Sequence, residues 1–170
     1  STQGGALTSA QAAVLTSAQV ASISSTAIAG LETADLAAFN TAQIRSLTST
    51  QLGALSSTQF GALASNQILA MTSGQIGSLA TDDLNGLGTA QFAAFGTAQI
   101  KALTSTQVGA LETADLAALS TAATRAIAST AIAGLTSTQV GALTSAQAAV
   151  LTSAQVASIS STAIAGLETA

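Results

Sequence analysis

A large apolar residue returns at every eighth position of this chain, without a slip from Leu7 to Leu167. The series is Leu7, Leu15, Ile23, Leu31, Phe39, Leu47, Leu55, Leu63, Met71, Leu79, Leu87, Phe95, Leu103, Leu111, Leu119, Ile127, Leu135, Leu143, Leu151, Ile159 and Leu167. With that residue numbered as position 0 of its octad, position 2 is Ser or Thr in every copy. Position 5 is Val, Ile, Leu or Phe except at Gly4, Ala12, Thr124 and Ala148, and position 7 is small except at Val14 and Val150. All 14 glutamines fall at position 4, which also holds Asp35, Asp83 and Asp115. Glu32, Glu112 and Glu168 fall at position 1, and the three cations, Arg45, Lys101 and Arg125, at position 6. An unbroken short period describes one small unit copied along an axis, each copy touching mainly its neighbours.

Three folds compete for such a unit. A continuous α-helix advances roughly 800° in eight residues, so its apolar stripe drifts about 80° per copy and cannot stay on one face. A chain of very short helices fits better. Thr at position 1 and Gln at position 4 form the capping-box pattern, in which the two residues satisfy each other's free backbone donors. The pairs Thr8/Gln11, Thr16/Gln19, Thr48/Gln51, Thr72/Gln75 and Thr104/Gln107 carry it. Position 0 then precedes the cap and position 5 is the fourth helical residue, the two partners of a hydrophobic staple. This reading predicts helices of about six or seven residues, with small residues at position 7 letting backbones approach. Because position 1 is sometimes Ala or Glu, the cap is expected to shift to the invariant hydroxyl of position 2 in those copies. The alternative is a β-solenoid with 8 or 16 residues per coil, its hydroxyls and glutamines stacked in ladders. Abundant Ala, scarce β-branched residues and the lack of Asn-Gly or Asp-Gly turns favour the all-α solenoid.

A second repeat overlies the first. Residues 1–34 match residues 137–170 at 33 of 34 positions, an offset of 136 residues or 17 octads. Both ends of the sequence fall inside an octad, so residues 1–170 are expected to be one continuous window on a longer array.

Composition narrows the chemistry. Charged residues are 6% of the chain and the net charge is −4, so the polar surface is uncharged Ser, Thr and Gln. Such surfaces repel their own copies weakly, which favours self-association. Three scattered cations cannot supply the phosphate contacts of a nucleic-acid binder. There is no Cys or His, hence no disulfide framework, no thiolate site and no means of activating a serine nucleophile. Ser or Thr interrupts every octad, so no run is long enough for a transmembrane helix. Phosphate loops are absent, Gly4-Gly5 being an isolated pair. The carboxylate pairs Glu32/Asp35 and Glu112/Asp115, with Asp82 and Asp83, lack the ligand-rich loop calcium needs. Nothing in the sequence desolvates them for acid–base work. No cofactor, metal or catalytic residue is assigned, and the chain is read as a non-enzyme. Phe39, Phe60, Phe92 and Phe95 sit at positions 0 or 5 and are read as core. The glutamine column is read as capping partners rather than an outward binding ladder, and the hydroxyl columns as caps and solvated surface.

The segment Leu103-Thr104-Ser105-Thr106-Gln107-Val108-Gly109-Ala110-Leu111 resembles the opening of a TAL-effector repeat, whose first short helix starts at the corresponding Thr. That likeness covers one octad and supports a short helix, not DNA binding. The whole chain is similar to the LTxxQVxAL octapeptide tracts of long bacterial surface and adhesin-like proteins. This resemblance implies an exported, cell-surface or extracellular protein that forms filaments or matrix. The expected function is therefore structural: a filament, fibre or surface layer built by stacking octads, with homopolymer formation or lateral bundling. An adhesin stalk or solenoid binding a glycan, a surface or ice through its Ser, Thr and Gln columns is the alternative.

Overall fold

The computed structural model describes residues 7–166. Leu167, Glu168 and the Gly4-Gly5 pair lie outside the described residues. The chain divides into two compact units, Ser1–Leu87 and Gly88–Ala170.

Within the described residues of the first unit the helices are α1 (Ser9–Val14), α2 (Ser17–Ser22), α3 (Ser25–Ala29), α4 (Thr33–Ala37), α5 (Thr41–Ser46), α6 (Ser49–Leu52), α7 (Ser57–Gly61), α8 (Ser65–Ala70), α9 (Ser73–Gly77) and α10 (Thr81–Asn85). Those of the second are α11 (Thr89–Ala93), α12 (Thr97–Ile100), α13 (Ser105–Ala110), α14 (Thr113–Ala118), α15 (Thr121–Ala126), α16 (Ser129–Ile132), α17 (Ser137–Gly141), α18 (Ser145–Ala149), α19 (Ser153–Ser158) and α20 (Ser161–Ile164). Among these residues there is no strand, and each octad contributes one helix.

The octad explains its own shape. Position 1 is the N-cap in every copy, with extended backbone, as at Thr8 (φ −87°, ψ 156°). The N–H of position 5 then donates to the position 1 carbonyl, as from Ala12 to Thr8 at 2.8 Å and from Val20 to Thr16 at 3.0 Å. Position 0 is extended too, Leu15 having φ −60° and ψ 142°, and its N–H donates back to the position 5 carbonyl. Two extended residues therefore interrupt the helix in every octad. That leaves four to six helical residues, fewer than the six or seven expected. The cap does not shift to position 2: Ala64, Ala80, Gly88, Gly96 and Ala128 all cap without a side-chain acceptor. The Ser or Thr of position 2 is the first helical residue.

Helices this short are not stable in water and depend on packing. In the first unit α1 packs on α4, α2 on α5, α5 on α8 and α7 on α10. In the second α11 packs on α14, α13 on α16 and α17 on α20, the same step of three octads. Positions 0 and 5 form the core: Leu36, Ile44, Phe60, Ile68 and Leu84 are fully buried in the first unit, as are Phe92, Ile100, Val108, Leu116 and Ile132 in the second. The Phe92 and Phe95 rings stack with centroids 5.3 Å apart.

Glycine lets backbones meet most closely at position 7. A Cβ on Gly134 would lie 2.0 Å from the Ser105 carbonyl oxygen, and one on Gly86 would lie 2.7 Å from that of Ser57. Among the described residues, no helix is long and apolar enough to cross a membrane.

Candidate functional site

The candidate site is the seam between successive turns, and the glutamines of position 4 build it. Gln51 illustrates the local half. The Thr48 N–H donates to Gln51 Oε1 at 2.8 Å, while the Gln51 N–H donates to Thr48 Oγ1 at 3.2 Å. Thr8/Gln11, Thr16/Gln19, Thr72/Gln75 and Thr104/Gln107 make the same reciprocal pair. Where Ala64, Gly88 or Gly96 is the cap, half of the box persists. The cap N–H still donates to Gln67, Gln91 or Gln99 Oε1, at 2.8, 2.6 and 3.0 Å.

The other half is long-range, and no local motif announces it. The amide Nε2 of Gln51 donates to the carbonyls of Val20 (2.8 Å) and Ile23 (2.7 Å), at the C-terminal end of α2, four octads earlier. Gln43 reaches Ala12 and Leu15, Gln67 reaches Leu36 and Phe39, and Gln75 reaches Ile44 and Leu47. In the second unit Gln139 reaches Val108 and Leu111, Gln147 reaches Leu116 and Leu119, and Gln155 reaches Thr124 and Ile127. A helix leaves its first N–H groups and last carbonyls without internal partners. One glutamine thus serves the N-terminal end of its own helix and the C-terminal end of another. Packing neighbours lie three octads away and amide partners four, so each turn within a unit holds between three and four octads.

The glutamines from Gln43 through Gln155 are buried, which excludes the outward ladder for them; only Gln11 and Gln19 are exposed. The position 0 residues Leu31, Phe39, Leu47, Leu55, Leu63, Met71, Leu79, Leu87, Phe95, Leu103 and Leu111 are buried, while Leu7, Leu15 and Ile23 are half-buried.

The carboxylates at position 4 require a correction. Asp35, Asp83 and Asp115 are desolvated, at 4%, 8% and 4% exposure, because position 4 faces the neighbouring turn. Asp35 Oδ1 accepts from Ser9 Oγ at 2.9 Å. Burial pushes the Asp83 carboxyl up, against a lowering hydrogen bond from the Ala80 backbone, and Asp82 adds to the rise. Burial and then Glu112 push Asp115 up to about 6. Glu32 and Glu112 are N-caps that make no side-chain cap bond. Arg45 and Arg125 occupy the last turns of α5 and α15, favourable for the helix dipole. Among the described residues, no group of three His, Cys, Asp or Glu side chains could hold a metal ion. In the second unit Thr113, Ser137, Thr138 and Thr162 line a shallow groove with Gly141, Ala142, Ala165 and Gly166.

Fold and seam together define an all-helical tandem-repeat protein whose unit is an octapeptide. The ALTTAQ repeat matches the sequence at residues 28–65, 52–81, 76–113 and 108–145, four overlapping spans covering most of the chain. The chain belongs to the ALTTAQ repeat family. No curated protein and no solved structure is detectably similar to it.

Proposed function

We propose that this chain is a structural repeat protein whose stacked octads build an extracellular filament, fibre or surface layer. The observation that carries this reading is the repeated glutamine bridge, which joins one turn to another through side chain and backbone alone. Such a bridge imposes no limit on the number of turns, as expected of a one-dimensional array. The outward positions 1 to 3 carry mainly uncharged Ser, Thr and Ala, which repel like surfaces weakly. Resemblance to the octapeptide tracts of bacterial surface proteins supports the extracellular assignment. Electron microscopy of purified chain over a rising concentration series tests it: filaments or sheets support the reading, and a persistent monomer overturns it.

The hydroxyl-lined groove of the second unit favours a second reading, an adhesin stalk whose Ser and Thr columns meet a glycan. Glycan-array binding by a chain that stays monomeric would favour this reading over the filament.

A further inference from the structure

Residues 8–30 and 144–166 have one sequence and opposite surroundings. In the later stretch Gln147 and Gln155 are buried, their amides held by the Leu116, Leu119, Thr124 and Ile127 carbonyls. Their counterparts Gln11 and Gln19 are exposed and make only capping contacts. At position 5 the contrast reverses. Val20 is fully buried, whereas its counterpart Val156 is 45% exposed. One stretch therefore offers amide donors. The other offers an apolar side chain and backbone carbonyls, such as those of Val156 and Ile159, that accept no glutamine amide; no glutamine follows Gln155.

We propose that the face of α1 to α3 docks head to tail on the face of α18 to α20 of a second copy. The amides of Gln11 and Gln19 in one copy donate to position 5 and position 0 carbonyls of the other. This rests on the filament reading and deepens it by naming the contact. The occupant is a second copy because the chain itself shows what covers this sequence: a turn of octads presenting paired carbonyls. None of the six helices carries a charged residue, so electrostatics does not oppose the contact. Two unlike faces make a heterologous interface, which extends as an open filament unless the rotation closes it.

The test is sedimentation of the 170-residue chain over a concentration series, for wild type, Q11E/Q19E and Val156→Glu. Glutamate keeps the capping acceptor and removes the amide donors, so Q11E/Q19E leaves each local helix cap intact. Wild type is expected to associate, and either variant to weaken association at least about tenfold with an unchanged circular dichroism spectrum. Association of both variants at wild-type strength overturns this contact and leaves the filament reading standing. A wild type that neither associates nor forms filaments overturns both.

Discussion

Gln75 Nε2 donates to the Leu47 carbonyl at 2.8 Å although 28 residues separate them, while Gln75 Oε1 accepts from the Thr72 N–H three residues away. One side chain thereby closes a local turn and ties it to another turn. Removing it should cost more than removing a cap alone. Gln51→Met is expected to destabilise the chain by about 2–4 kcal/mol, from two stranded carbonyls and a lost cap. Gln11→Met, which loses only a cap, is expected to cost about 1 kcal/mol or less. Urea unfolding followed by far-UV circular dichroism compares the two.

Asp83 occupies a glutamine position without an amide to donate. Asp83→Gln places donors toward the position 5 and position 0 carbonyls of α6's octad and relieves a buried carboxyl. It is expected to stabilise by about 1–2 kcal/mol, measured as an increase in melting temperature.

The Asp115 carboxyl titrates near 6, raised from 3.8 by burial and by Glu112. Its folded form binds the proton more tightly than its unfolded form, so this stability is present at low pH. It is lost as pH rises from about 4 through about 6 and changes little above. Melting temperatures across that interval should fall for wild type and fall less for Asp115→Asn.

Two glycines should respond oppositely to alanine. In Gly134→Ala the new Cβ meets the Ser105 backbone oxygen, which cannot swing away, so the helix pair must separate. A loss of about 2 kcal/mol or more is expected. In Gly74→Ala the Cβ meets only Thr72 Oγ1, at 4.0 Å, within an exposed helical position. A gain of about 0.5–1 kcal/mol is expected there. Thermal melts of the two variants separate a packing glycine from a dispensable one.

What the sequence made legible was local. The capping box and the staple span three and five residues, so Thr104, Gln107, Leu103 and Val108 reveal them by spacing alone. The amide partners of Gln51 lie 31 and 28 residues back, a separation set by how many octads complete a turn. Eight-residue periodicity says nothing about that number. Nor could it show that position 4 faces inward, which is why the burial of Asp35 and Asp115 went unread. Gly88 and Gly96 capped where a shift to the hydroxyl of Thr89 or Thr97 was expected, because the glutamine Oε1 still holds the cap N–H. Gln11 and Gln147 make the same point, identical in sequence context and unlike in burial.

Proton exchange of the glutamine side-chain amides, followed by NMR at concentrations where the chain is monomeric, tests the bridged seam most directly. The amides of Gln43, Gln51, Gln59, Gln67, Gln75, Gln139, Gln147 and Gln155 should exchange slowly, held by carbonyls of another turn. Those of Gln11 and Gln19 should exchange at nearly the rate of free glutamine. Uniformly fast exchange across all of them would contradict the account.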